Sequence, residues 1–78
     1  MEKDKKLEEE ILSIIKEILE KEVNLEDKIE DIPEWDSLKH LQIILEIEER
    51  TGKTIPMDKI GQIVRVEDLV KLTKGDFE

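Results

Sequence analysis

The sequence has no cysteine, no tyrosine and only one histidine, His40, among its 78 residues. Without cysteine, disulfide bonds and thiolate metal sites are excluded, so apolar packing must stabilise the fold. The same shortage leaves few groups for nucleophilic or acid–base catalysis, and the sequence predicts no catalytic residue. No stretch approaches the roughly 18 continuous apolar residues that span a bilayer. These absences predict a soluble protein that is not an enzyme.

Acidic residues outnumber basic residues by 22 to 13, which gives a net charge of −9. This charge repels polyanions, so neither nucleic acid nor an anionic membrane is an expected partner. It attracts proteins with basic patches, and transient protein association is expected instead. The charged N-terminus has no apolar secretion-signal core. We expect a monomeric, cytoplasmic protein that forms a single domain over residues 1–78, with its core at about 4–73.

Hydrophobic periodicity predicts an all-α fold, a small four-helix bundle with three main helices and one short helix. The predicted helices span residues 4–23, 37–50 or 51, a turn or two within 58–63, and 66–72. Asp4 is the predicted N-terminal cap of the first helix, and Gly52 is the predicted C-terminal cap of the second. Arg65, which precedes the last helix, is not a good capping residue, so that helix is predicted to lack a cap.

A long loop joins the first two helices, from about residue 21 to residue 35. Its apolar side chains, Leu25, Ile29 and Ile32, are expected to hold it against the core. Its acidic composition is similar to that of a calcium loop, but it contains no glycine, and Lys28 and Ile29 occupy its middle. The sequence therefore predicts a solvated acidic loop and no metal site.

The second predicted helix carries apolar side chains on more of its circumference than one small core can cover. The inward-facing set is expected to be Ile43, Ile44 and Ile47. Leu38, Leu41 and Leu45 remain for another surface, although Leu38 and Leu41 suit ordinary core packing equally well. An exposed apolar face of this kind is typical of a protein-binding surface.

Ser37 is one of only two serines and lies where the second helix begins. Backbone N–H groups are unsatisfied there and the helix dipole is positive, so a phosphate ester on the hydroxyl would be stabilised. Position alone favours the simpler interpretation, in which Ser37 or Asp36 is an ordinary N-terminal cap. His40 follows one turn later, where it is expected either to face solvent or to pair with Ser37, and nothing in the sequence orients it.

Ser37 belongs to a wider pattern of residues. The pattern comprises Asp36-Ser37-Leu38 at the start of the second helix, Glu48-Glu49 near its end, Thr54-Ile55-Pro56, and Val66-Glu67-Asp68-Leu69-Val70. With these segments in this order, the chain resembles the acyl carrier protein family over nearly its whole length, from the first helix to about Leu72.

In that family, the serine of the Asp-Ser-Leu motif is esterified with 4′-phosphopantetheine, which a separate magnesium-dependent phosphopantetheinyl transferase takes from coenzyme A. The resemblance implies that Ser37 holds this group and that acyl or aminoacyl groups are carried as thioesters on its thiol. It implies that Asp36 presents Ser37 to the transferase. It also implies that Leu38, Leu41 and Leu45 contact the partners, which are the transferase and acyl-activating and acyl-transferring or condensing enzymes. The alternative is an unmodified helical module that only binds proteins.

Two features depart from the common family pattern. Lys39 and Gln42 stand on the partner-facing helix where fatty-acid carriers tend to have acidic residues, and both are predicted to contact partners. Trp35 stands where glycine or another small residue is frequent, and Trp-Asp-Ser-Leu resembles carriers of specialised pathways. The resemblance thus implies a dedicated lipid or polyketide pathway rather than bulk fatty-acid synthesis. Trp35 also suits a simpler role as an apolar lid over the loop.

Overall fold

A computed structural model describes residues 2–75, apart from the side chains of residues 2–4 and of residue 57. The elements follow the order α1 (Glu2–Leu19), a 3₁₀ turn (Ile29–Asp31), α2 (Ser37–Thr51), α3 (Met57–Ile60) and α4 (Val66–Lys74). No β-strand occurs among residues 2–75; their one isolated β-bridge joins Lys28 to Arg65. The all-α prediction, with three main helices and one short helix, is confirmed.

One face of α1 packs against the rest of the bundle. The buried side chains of this face are Ile11, Ile14, Ile15 and Leu19, which follow the three- and four-residue spacing of a helix. The predicted cap at Asp4 is wrong, because α1 already begins at Glu2 and Asp4 lies inside its first turn. The predicted end at Val23 is also too late. Glu20 adopts a left-handed conformation with φ 57°, which stops the helix after Leu19.

The two helix ends next to Glu20 and Gly52 lead to opposite stability predictions. Glu20→Gly should raise the free energy of unfolding by about 0.5–1 kcal/mol, since glycine adopts the left-handed conformation without steric cost. Gly52→Ala should lower it by about 1 kcal/mol, because Gly52 has φ 71° at the end of α2. A new Cβ at Gly52 meets no atom within 4 Å, so only the backbone conformation opposes the change. Urea denaturation of both variants tests this, and shifts in the same direction would contradict it.

The core lies between α1, α2 and α4, with the connecting segments closing its ends. The buried core residues that lie outside α1 are Ile32, Trp35, Ile43, Ile44, Ile47, Ile55, Val66, Leu69, Val70 and Leu72. The segment that carries Ile55 is fixed to α2, because the Ile55 N–H donates to Glu48 Oε2 at 2.8 Å. Residues of α1, α2, α4 and the connecting segments thus enclose one core.

The long loop packs against the core as predicted. Ile32 is buried, and Leu25 and Ile29 pack half-buried against the core. The loop also caps α4, which the sequence did not predict. The Val66 N–H donates to Asp27 O at 3.1 Å, and the Glu67 N–H donates to Leu25 O at 3.0 Å.

The side chain of Asp68 completes the cap of α4. It accepts hydrogen bonds from the Val64 and Arg65 N–H groups, each at 3.0 Å. The predicted helix start at Val66 is correct, but the prediction that the helix lacks a cap is wrong. A backbone cap from a distant loop replaces the side-chain cap that Arg65 cannot provide.

Candidate attachment site at the start of α2

Asp36, and not Ser37, caps α2. Its Oδ1 accepts a hydrogen bond from the Lys39 N–H at 2.8 Å, and its backbone carbonyl accepts from the His40 N–H at 2.9 Å. Asp36 has the extended backbone that a cap requires, with φ −93° and ψ −175°. Ser37 is therefore the first residue of the helix and is not needed for capping.

Ser37 is exposed, and no residue among 2–75 forms a hydrogen bond with its hydroxyl. The N–H groups of Ser37 and Leu38 also donate to no acceptor within the described part of the chain. These two groups lie at the positive end of the α2 dipole, where they would favour a negative charge. The site thus offers a free hydroxyl beside two unused backbone donors.

Trp35 precedes the cap and is buried, with 7% of its surface exposed. Its indole Nε1–H donates to Nδ1 of His40 at 2.9 Å, and the ring centroids lie 5.9 Å apart. The predicted lid role of Trp35 agrees with this burial. The prediction that His40 faces solvent is wrong, because His40 is half-buried and Trp35 orients its ring.

The structure does not bring Ser37 and His40 together as a catalytic pair. His40 Nδ1 accepts the bond from Trp35, and no hydrogen bond joins His40 to Ser37 among the described contacts. Burial lowers the pKa of His40, so at neutral pH the imidazole is neutral and Nδ1 can act as an acceptor. His40 therefore contributes to the structure around Ser37 and not to a serine–histidine nucleophile.

The apolar side chains of α2 divide into two faces. Ile43, Ile44 and Ile47 are buried, as predicted. The three leucines lie outside the core, with exposed fractions of 65% for Leu38, 51% for Leu41 and 63% for Leu45. The sequence left Leu38 and Leu41 open between core and surface, and the structure places both on the surface. We refer to Leu38, Leu41 and Leu45 as the leucine face.

Lys39 and Gln42 border the leucine face on the side of α1. Gln42 is exposed, whereas Lys39 is half-buried and its Nζ donates to the backbone carbonyl of Ile18 at 3.4 Å. The Lys39 charge thus lies at the negative end of the α1 dipole, where a cation is favoured. An open groove of about 660 Å³ runs along this border. Its lining residues are Ile18, Lys39, Gln42, Leu45, Glu46 and Glu49.

The surface just before Ser37 carries negative charge at neutral pH. A hydrogen bond from its own backbone N–H lowers the pKa of Glu34, and a hydrogen bond from Lys21 at 3.2 Å lowers it further. Glu34 is two residues before Asp36 and is exposed, so solvent screens its field. Glu34 and Asp36 thus place two carboxylates close to Ser37, and the first of them is paired with Lys21.

Comparison with protein-family models, curated proteins and solved structures finds no match to the chain. No cluster of three or more histidine or carboxylate side chains suited to a metal occurs among the described residues. Within the same residues, no helix has both the length and the apolar character needed to cross a bilayer. The function is therefore inferred from the residues around Ser37 and their geometry.

Proposed function

We propose that this protein is an acyl carrier whose Ser37 is esterified with 4′-phosphopantetheine. The observation that supports this most directly is the separation of roles at the start of α2. Asp36 makes the capping bonds, which leaves the Ser37 hydroxyl exposed and unbonded. A serine serving only as a cap would bond a backbone N–H of the first turn, and Ser37 does not. The arm would supply a thiol to a chain without cysteine, for acyl or aminoacyl thioesters.

Loading requires Ser37 Oγ to act as a nucleophile on the phosphorus next to pantetheine in coenzyme A. An Oγ–P bond forms, the P–O bond to the adenosine-containing leaving group breaks, and the hydroxyl proton passes to a base of the transferase or to water. The chain exposes the hydroxyl and provides the Ser37 and Leu38 N–H groups beside it. These groups and the helix dipole favour the negative charge of the phosphodiester.

The proposed partners are the phosphopantetheinyl transferase and acyl-activating and acyl-transferring or condensing enzymes of a dedicated biosynthetic pathway. The leucine face is the apolar surface that they would contact. Lys39, whose Nζ donates to Ile18 O, places a cation on one side of this face. At the corresponding position, fatty-acid carriers tend to present a carboxylate to their partners. We therefore expect the partners to be specific to this carrier, which acts as a cytoplasmic monomer.

Mass spectrometry of the intact protein tests the attachment. After incubation with coenzyme A, Mg²⁺ and a broad-specificity transferase, the protein should gain the mass of one phosphopantetheine group. Ser37→Ala should abolish the gain. Ser13→Ala is the matched control, because Ser13 is the other serine and is exposed on α1, and it should be loaded like the parent. Absence of the gain in the parent, or its survival in Ser37→Ala, would refute the proposal.

The second candidate function is an unmodified helical module that only binds proteins. The exposed leucine face favours it, because such a face binds partners whether or not Ser37 is modified. This alternative predicts that Ser37→Ala leaves the biological phenotype intact, whereas the carrier function predicts that it abolishes the phenotype.

A further inference from the structure

The hydrogen bond between Trp35 and His40 spans the whole candidate attachment site. It joins the residue before the cap to the first turn of α2, and Ser37 lies between its two ends. Both ends are held in place, because Trp35 is part of the buried core and His40 belongs to α2. The two capping bonds of Asp36, to Lys39 N and to His40 N, lie inside the segment that this bond closes.

The bond also satisfies a group that would otherwise be costly to bury. Indole N–H groups that are buried nearly always have an acceptor. His40 Nδ1 is the acceptor for Trp35, and no other acceptor for this N–H occurs among the described contacts. Conformations of the segment that separate the two rings would lose this bond, and a buried indole N–H would then need another acceptor. The bond therefore favours one conformation of residues 35–40.

We propose that the Trp35–His40 hydrogen bond is a positioning device that keeps Ser37 in the conformation that the transferase recognises. This inference rests on the proposed attachment of phosphopantetheine to Ser37. His40 is a positioning residue and not a catalytic one, because it has no hydrogen bond to Ser37. Helix ends fray, and a transferase that binds only the ordered start of α2 binds more weakly when that form is less populated.

The proposal requires an acceptor at position 40 and not an ionisable ring. In His40→Asn, the side-chain oxygen is bonded to Cγ, as Nδ1 is in histidine, so it can accept the hydrogen bond from the indole N–H. In His40→Leu, the bulk remains but the acceptor is lost. We expect His40→Leu to raise the KM of the carrier for the transferase on the order of tenfold with kcat unchanged, because only the competent population falls. The KM of His40→Asn should stay within about twofold of the parent value, because the acceptor and hence the competent population are retained.

Amide hydrogen exchange gives a second readout that does not depend on the transferase. The Lys39 N–H donates to Asp36 Oδ1, so its exchange rate reports opening of the cap. It should exchange faster in His40→Leu and at the parent rate in His40→Asn. Trp35→Phe removes the donor while keeping an aromatic ring in the core, and it should reproduce the KM increase if His40→Leu does not fold.

The double variant Trp35→Phe/His40→Leu shows whether both residues act through one bond. Its KM should be no higher than that of the worse single variant, since the bond can be lost only once. If the parent is not loaded, the proposed attachment itself is refuted, and the positioning role falls with it. If the parent is loaded, the positioning role alone is overturned by normal loading of His40→Leu, by failure of His40→Asn to restore the KM, or by a fall in kcat with constant KM.

Discussion

Replacing Ile47 with alanine should lower the free energy of unfolding by about 3 kcal/mol, within the range measured for buried aliphatic side chains. Ile47 lies on α2, is fully buried, and forms part of the core between α1, α2 and α4. A domain of this length has a total stability of roughly 4–12 kcal/mol, at typical values per residue. The loss is therefore a large share of the total. Urea denaturation measures it as a shift of the midpoint with an unchanged m-value.

Leu45→Ala is the matched control, because Leu45 lies two residues earlier on the same helix but is 63% exposed. It removes an aliphatic side chain of the same size, and its effect should be about 0.5 kcal/mol or less. The contrast tests the division of α2 into two faces more directly than either variant alone. Equal losses for Ile47→Ala and Leu45→Ala would contradict that division.

The division of α2 could be predicted in part because helical spacing depends only on local geometry. Residues 43, 44 and 47 share one face of any helix, so their burial follows once the helix forms. Helical spacing also separates Leu38 and Leu45 from that face. The composition of the helix could not show whether a neighbouring element covers these leucines. The number and placement of the other elements decide this, and they leave the leucine face open.

Two of the wrong predictions, the missing cap of α4 and the solvent-facing His40, concern contacts that rules based on neighbouring residues do not consider. The cap of α4 comes from the loop around Leu25 and Asp27, and Arg65 Nη1 bonds Glu26 O across 39 residues. Rules for helix capping consider only the residues next to a helix, so they predict no cap for α4. His40 is nearer to its partner, but its pairing depends on the path of the loop that buries Trp35. Residue types alone do not determine that path.

Lys39 shows how such a contact changes the interpretation of a site. From the sequence, Lys39 is a cation on the partner-facing helix. In the structure, its ammonium group binds the last turn of α1 through Ile18 O and is half-buried. Its charge therefore contributes to packing of α1 on α2 as well as to the surface near the groove. Leu38, Leu41, Leu45 and Gln42 are exposed on the same helix without such a contact, so the proposed recognition surface is assigned to them.

Exchanging Leu38, Leu41 and Leu45 together for glutamine should reduce kcat/KM for loading of Ser37 by about tenfold to a hundredfold. A single hot spot at the centre of an interface commonly contributes about 2 kcal/mol, which is roughly thirtyfold in affinity. Few residues of an interface are hot spots, and leucine is seldom one, so the three exchanges together are expected to cost about as much as one. Glutamine is a good helix former, and the leucines are largely exposed, so α2 and its core should remain intact. Loading is measured by mass spectrometry at several carrier concentrations.

The control for this variant lies on α1, where Lys6, Glu9 and Ser13 are exposed at the same spacing as the three leucines. Exchanging these three for glutamine removes one positive and one negative charge, so the net charge stays constant. The control should be loaded like the parent, and circular dichroism should show both variants folded.

Normal loading of the leucine variant would show that the transferase does not contact this face. An equal loss in both variants would show that the effect arises from changes in the bundle as a whole. A loss confined to the leucine variant would assign recognition by the transferase to the outer face of α2, next to Ser37.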